Sequence, residues 1–377
     1  MNHRTQTRII PILRCLLGAA SVLVGVAALA WSAQAVGRAV SQAERAASTP
    51  AKVPGRDPAG TAAAYAAKLK GVPKFAQPLL FHTAEADAVL KHVQVFPASS
   101  PYNEDISTRP VAANSQAMIA TIGAAGGLAY NLDMGYVLVP PGQKLVDVKL
   151  TAYAGESDAG PYPVPDNAPI EDWSPAGGES LAAKQAKVEG GDRHVIVVDP
   201  MAGLLYEFWQ GRKTPQGWQA SNEATFDLKT NALRPDGWTS SDAAGLPLFP
   251  LTVRYDDVAG GEVKHAVRFT IRRSRSAYVY PATHMASNRS DPSLPRMGER
   301  LRLKAGVDVS GMSPHAQAVC KGLKKYGMIV ADNGGNWRIS VAPDPRIKGL
   351  DDLKRIKGSD FEVIIPTGPD DGPRARR

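Results

Sequence analysis

The pattern that most restricts what this chain can become is a series of short apolar runs, each closed by proline, glycine, asparagine or aspartate. Tyr136 to Val139, Val195 to Val198, Leu204 to Trp209, Met328 to Ala331 and Phe361 to Ile365 are too short for helices and rich in β-branched or aromatic residues. Runs of this kind between turn residues read as strands. Thirty prolines among 377 residues sharpen the reading, because proline breaks helices and is confined to the edges and ends of sheets. The predicted fold is mainly β, a two-sheet sandwich of jelly-roll type with one C-terminal α-helix and a few short helices.

The first 35 residues stand outside that fold. Arg4, Arg8 and Arg14 precede an uncharged apolar run from Cys15 to Trp31, and Ala33-Gln34-Ala35 is a small-x-small cleavage site. This is the pattern of a secretory signal peptide cut after Ala35, which predicts a secreted or periplasmic protein with no stable membrane insertion after cleavage. The run is slightly short for a retained anchor. Residues 36–74 are rich in Ala, Pro, Gly and scattered charge and lack the apolar residues needed to order themselves, so they read as a disordered tether. One globular domain over 75–366 and a disordered tail over 367–377 complete the organisation.

Cleavage would lower the net charge from +8 to +5 and remove Cys15, leaving Cys320 as the only cysteine. Without an internal disulfide the exported chain must rely on a large core. The basic excess is spread along the chain without aromatic interleaving, which argues for solubility or an anionic surface and against nucleic-acid binding.

Further elements follow from local pattern. Val93 to Phe96, Lys144 to Tyr153 and Glu262 to Ile271 read as strands. In the last, His265 alternates with Val267, Phe269 and Ile271, while Arg268 falls on the opposite face. Ser313 and Pro314 supply the N-cap and first position of a helix whose apolar stripe is Ala316, Val319, Cys320, Leu323 and Tyr326, ended by Gly327. Met328 to Ala331 and Trp337 to Val341 flank Asn333-Gly334-Gly335 and read as a hairpin. Gly123 to Gly127 has no Lys-Ser/Thr pair after it and is no phosphate loop. The proline-rich acidic segment Gly155 to Pro175 is either an ordered crossover or a stiff wall beside a cleft.

The chemistry-bearing residues concentrate between Asp192 and His284. Glu207 has apolar neighbours on its own strand face, which would raise its pKa and suit a general acid. The loop from Asp227 to Pro250 is long for a compact domain and carries Asn231, Arg234, Asp236, Trp238 and Asp242. His265 lies on an apolar face and His284 on a loop after Tyr280-Pro281. Aromatic rings beside planar polar groups are what a sugar requires: its apolar faces stack and its hydroxyls bridge. The candidate catalytic set is Glu207, Asp227, Asp242, His265 and His284, with Asn231, Trp238 and Tyr280 as substrate contacts. There is no G-x-S-x-G, H-E-x-x-H or dinucleotide fingerprint, and neither a metal nor a cofactor is expected. No local spacing makes a metal site of His194, His265 and His284.

The runs DRHVIVVD, FDLKTNALRPDGWTSSDAAGLP, HAVRFT, YVYPATHMAS, RLKAGVDVSG and KKYGMIVADNGGNW resemble a widespread group of secreted bacterial proteins, over the stretch from about Phe96 to Glu362. The resemblance implies a single exported β-rich domain and carries no activity. From the residues themselves, the first expectation is an exported glycosidase or polysaccharide lyase acting on a cell-wall or environmental glycan. The alternative is a non-catalytic glycan-binding or cell-envelope structural module. Convergence of Glu207, Asp227, His265 and His284 in one cleft separates them.

Overall fold

A computed structural model describes residues 65–188, 190–366 and 368. The expected signal peptide, most of the expected tether and all but Gly368 of the tail beyond Pro366 lie outside these residues. The packed chain starts earlier than the expected boundary at Phe75. Tyr65 is only 4% exposed and donates its hydroxyl to the Pro200 carbonyl at 2.7 Å.

In chain order the elements are β1 (Leu79–Leu80), α1 (Ala84–Leu90), α2 (Ser115–Ile122), β2 (Ala129–Leu132), β3 (Tyr136–Leu138) and β4 (Val148–Leu150). After α3 (Leu181–Ala186) come β5 (Val195–Asp199), β6 (Leu204–Trp209), β7 (Arg212–Thr214), β8 (Gly217–Ala220) and β9 (Asn222–Asp227). Then follow α4 (Tyr255–Ala259), β10 (Val267–Ile271), β11 (Arg300–Leu303), α5 (Pro314–Lys325), β12 (Met328–Asn333), β13 (Arg338–Val341) and β14 (Phe361–Val363). Among the described residues no helix is long and apolar enough to cross a membrane.

The mainly β character holds, with few helices. The two-sheet jelly roll does not carry over: there are three sheets, ordered β1-β3-β5-β6-β9, β14-β11-β12-β10-β13-β2 and β4-β8-β7. Each mixes parallel with antiparallel pairs, as in β3–β5, β10–β12 and β4–β8. The first sheet is the middle layer. Ile196, Val198, Leu205, Ala224 and Phe226 on one face belong to the large core shared with the second sheet. Val195, Val197 and Phe208 on the other join Trp218 and Ala220 of the third sheet in a smaller core.

The expected C-terminal hairpin is absent. β10 lies between β12 and β13, pairing with the first in parallel and with the second antiparallel, so the Asn333–Gly335 turn spans a strand instead of joining neighbours. Val93 to Phe96 forms no strand. Phe96 adopts a left-handed φ of 62°, and the Asn103 amide donates to the Val95 and Pro97 carbonyls. The Glu262 to Ile271 strand shortens to β10, because Val263 and Ala266 donate to Ala318 and Tyr102 carbonyls instead of a ladder. The α5 stripe stands as expected, with Ala316, Val319, Cys320 and Leu323 fully buried and Gly327 left-handed just beyond the end. Burial pushes the Cys320 thiol up to about 12, so it is a core residue and not a nucleophile.

Candidate functional site

The Asp227–Pro250 segment decides how the polar residues are used. It is no surface loop throughout. Ala244, Leu246, Leu248 and Phe249 are completely buried within the large core. An irregular backbone in such a place cannot use water, so side chains must satisfy its polar groups. Glu207 does this. Its carboxylate, fully buried on β6, accepts the Leu248 N–H at 2.8 Å and the Phe249 N–H at 2.8 Å. Burial pushes Glu207 up to about 8, against the pull of those two donors. Ser240 Oγ likewise donates to the Leu246 carbonyl at 2.6 Å, and Thr252 Oγ1 to the Leu248 carbonyl at 2.9 Å.

Asp242 anchors the same segment to the second sheet. Its two oxygens take Arg268 Nε at 2.8 Å and Nη2 at 3.0 Å, with both side chains buried. Arg268 also donates Nη1 to Ser340 Oγ, which reaches Asp133 Oδ2 at 3.2 Å. Burial pushes Asp133 up to about 7, although the Arg268 guanidinium pulls the other way. His194, just before β5, ties in the proline-rich segment. Its Nε2 lies 2.9 Å from the Ser241 carbonyl and its Nδ1 lies 3.2 Å from Glu171 Oε2, a charge contact without good hydrogen-bond geometry. An acceptor beside each nitrogen favours the charged imidazolium form of the ring. Burial opposes that charge, but Glu171 outweighs it and raises His194 to about 9.

The remaining candidates are elsewhere. The β6–β9 register sets Leu204 opposite Asp227 and Glu207 opposite Ala224. Cross-strand partners share a face and successive residues alternate, so Glu207 and Asp227 point to opposite faces of the first sheet. Asp227 accepts the Lys229 N–H at 3.0 Å and pairs with Lys229 Nζ at 2.9 Å. His265 is 3.2 Å from Asp257 Oδ2 and 2.8 Å from the Ala266 carbonyl, in a buried group completed by Arg254. The five expected catalytic residues therefore do not converge in one cleft. Among the described residues no three His, Cys, Asp or Glu side chains form a metal-holding group.

What does come together is a surface. The partly exposed first half of the long segment packs against the 278–284 turn: the Gly237 N–H meets the Thr283 carbonyl at 2.8 Å, and Thr283 Oγ1 meets the Trp238 carbonyl at 2.9 Å. Trp238 is half-buried beside the Arg234 guanidinium, 5.5 Å from its ring. Tyr278 donates its hydroxyl to Asp236 Oδ1 at 2.7 Å. Tyr280 and His284 are half-buried on the same turn, His284 donating Nδ1 to the Ala243 carbonyl at 2.7 Å. Asn231 reaches Ser99 Oγ at 3.0 Å. Arg234 fixes the arrangement through the Thr239 carbonyl at 2.8 Å and the Asp158 carboxylate. The proline-rich segment, which also gives Glu156 Oε2 to the Thr239 N–H at 3.0 Å, thus braces this loop.

Sequence reasoning missed Arg268, Asp133, Glu171 and Ser340 and considered His194 only among histidines without metal-site spacing. Only Arg268 carried a signal: a charge inside Val-Arg-Phe-Thr-Ile, a strand apolar enough to be central and covered on both faces. No protein-family model matches the chain, and no curated protein and no solved structure matches it.

Proposed function

We propose that this protein is a non-catalytic glycan-binding module of the cell envelope, with Trp238, Tyr278, Asp236 and His284 as its ligand surface. One contrast carries the reading. Glu207, Asp242 and His265, which acid–base chemistry would need, are buried and bonded to backbone or to a fixed partner, while the aromatic and polar groups of the two adjoining loops stay half-exposed or exposed. Stacking surfaces with flanking planar polar groups suit sugar rings. An exported setting is supported by the N-terminal sequence and by the resemblance to secreted bacterial proteins.

The glycosidase or lyase reading retains one observation: Glu207, held near 8, lies within electrostatic reach of Asp242. Incubation of the purified protein with insoluble peptidoglycan, chitin and cellulose separates the two. Retention on at least one polymer, lost roughly tenfold or more in Trp238→Ala at an unchanged urea midpoint, is expected from the stacking contribution of one exposed aromatic. Release of reducing ends or unsaturated sugars, abolished in Glu207→Gln, would overturn it in favour of catalysis.

A further inference from the structure

Arginine is a fastener in most of this chain. Arg193, Arg254, Arg302 and Arg346, for example, give their guanidinium groups to backbone carbonyls or carboxylates, as Arg234 and Arg268 do. Among the described residues, the arginines whose side chains make no hydrogen bond and no ion pair are Arg212 and a group of four, Arg272, Arg273, Arg275 and Arg289.

Those four lie together, on two segments that the backbone pins side by side. The Ser276 N–H meets the Arg289 carbonyl at 2.7 Å, and the Arg275 N–H meets the Pro295 carbonyl at 2.8 Å. Ser274 is fully buried, whereas Arg272, Arg273 and Arg289 are exposed and Arg275 is partly exposed, so the first segment turns its arginines outward. Asp291 stands among them, its carboxyl lowered by the Ser293 hydroxyl and N–H and then by Arg273. Arg296, further along, is neutralised by Glu299 at 2.8 Å. Four unbonded guanidinium groups around one carboxylate leave an excess of positive charge. The patch also runs into the proposed ligand surface. Tyr278, which bonds Asp236, follows Arg275 by three residues, at most about 11 Å along the backbone.

A guanidinium fork meets a carboxylate at two points, which makes arginine the cation for planar oxyanions. A nucleic acid presents a dense row of phosphates that Asp236 and Asp291 would repel. An acidic sugar chain suits both signs, its carboxylates meeting the arginines and its hydroxyls donating to the two aspartates. We propose that the arginine patch selects an acidic, uronate-rich polysaccharide, with carboxylates on Arg273, Arg275 and Arg289 and adjoining rings on Tyr278 and Trp238. The inference rests on the glycan-binding reading above and adds the charge of the sugar.

The test compares, by titration calorimetry, binding of the purified protein to polygalacturonate and to its methyl-esterified form, which keeps the sugar backbone and removes the charge. The acid form is expected to bind at least about tenfold more tightly, with the gap narrowing as salt is added. Arg273→Gln/Arg275→Gln/Arg289→Gln should abolish that preference at an unchanged urea midpoint, because these side chains hold nothing in the fold. Arg212→Gln should retain it, and Trp238→Ala should weaken both forms alike. Equal affinity for the two forms, a preference that survives in the triple variant or is lost equally in Arg212→Gln, or tighter binding of single-stranded DNA or phosphatidylglycerol vesicles would overturn the proposal. Retention on chitin or cellulose that depends on Trp238, without preference for the acid form, would sink the arginine patch and leave the glycan-binding reading standing. Arginine-dependent binding of polygalacturonate that Trp238→Ala leaves unchanged would support the patch and sink Trp238 as a stacking residue. No binding of any polymer would overturn both.

Discussion

At the scale of single residues, the chain uses its buried charges as fasteners. Asp242 and Arg268 satisfy each other bidentately inside the core. Removing one partner of such a pair leaves an uncompensated charge, whereas replacing both by apolar groups of similar volume is often tolerated. Asp242→Ala is therefore expected to cost about 3 to 5 kcal/mol, and Asp242→Leu with Arg268→Met to recover much of that, read from urea midpoints. His194 makes a second prediction. Its pKa is raised from 6.5 to about 9, so the stability it adds is complete below pH 6.5 and is lost as pH rises through about 9. A shift of that size corresponds to something on the order of 3 kcal/mol. His194→Gln should be less stable than the parent at pH 6, with the gap closing by pH 9.5. Parallel pH profiles for the two proteins would contradict the imidazolium assignment.

At the scale of elements, helix α5 shows how packing overrules propensity. Gly322 lies inside the helix, where alanine normally gains about 1 kcal/mol. Here a Cβ would stand 2.4 Å from the Val263 carbonyl oxygen, which is backbone and cannot swing aside. Gly322→Ala is expected to lower stability by about 1 to 3 kcal/mol, measurable by thermal or urea unfolding. The same comparison applies to what the sequence made legible. β6 runs from Leu204 to Trp209 and α5 starts at Pro314, both where alternation, stripe and capping residues put them. Lys144 to Tyr153 shrank to the three residues of β4, and the 262–266 half of another predicted strand became irregular. Alternation states that two faces differ. It does not state that a ladder partner exists along the whole run.

At the scale of the molecule, several buried acids carry the same sign. Glu207 and Glu223 are raised from 4.5 to about 8 and Asp133 from 3.8 to about 7, each chiefly by burial. Stability from each is complete below its unfolded value and is lost as pH climbs through its folded one, and His194 adds to the same decline. Glu171 is the counterweight: burial opposes its charge, but His194 prevails and lowers it to about 2, so its contribution fades only as pH falls from 4.5 through 2. The urea midpoint should therefore be highest at about pH 3.5 to 4 and fall steadily to pH 9. A maximum at pH 8 would mean that these carboxyls are not held protonated by the core.

The sequence by itself determined the mainly β class, the short strands, the apolar stripe of α5 and the polar-aromatic stretch around Trp238, because each depends on residues close together in the chain. Tertiary structure alone decided the rest. It slid β10 between β12 and β13, drew residues 244–249 into the core, turned Glu207 into a support for buried N–H groups, and joined Asp242 to Arg268 and His194 to Glu171. Local pattern fixes which face of an element is apolar. Which distant element covers that face, and which charge meets which, is settled only by burial and pairing across the whole fold.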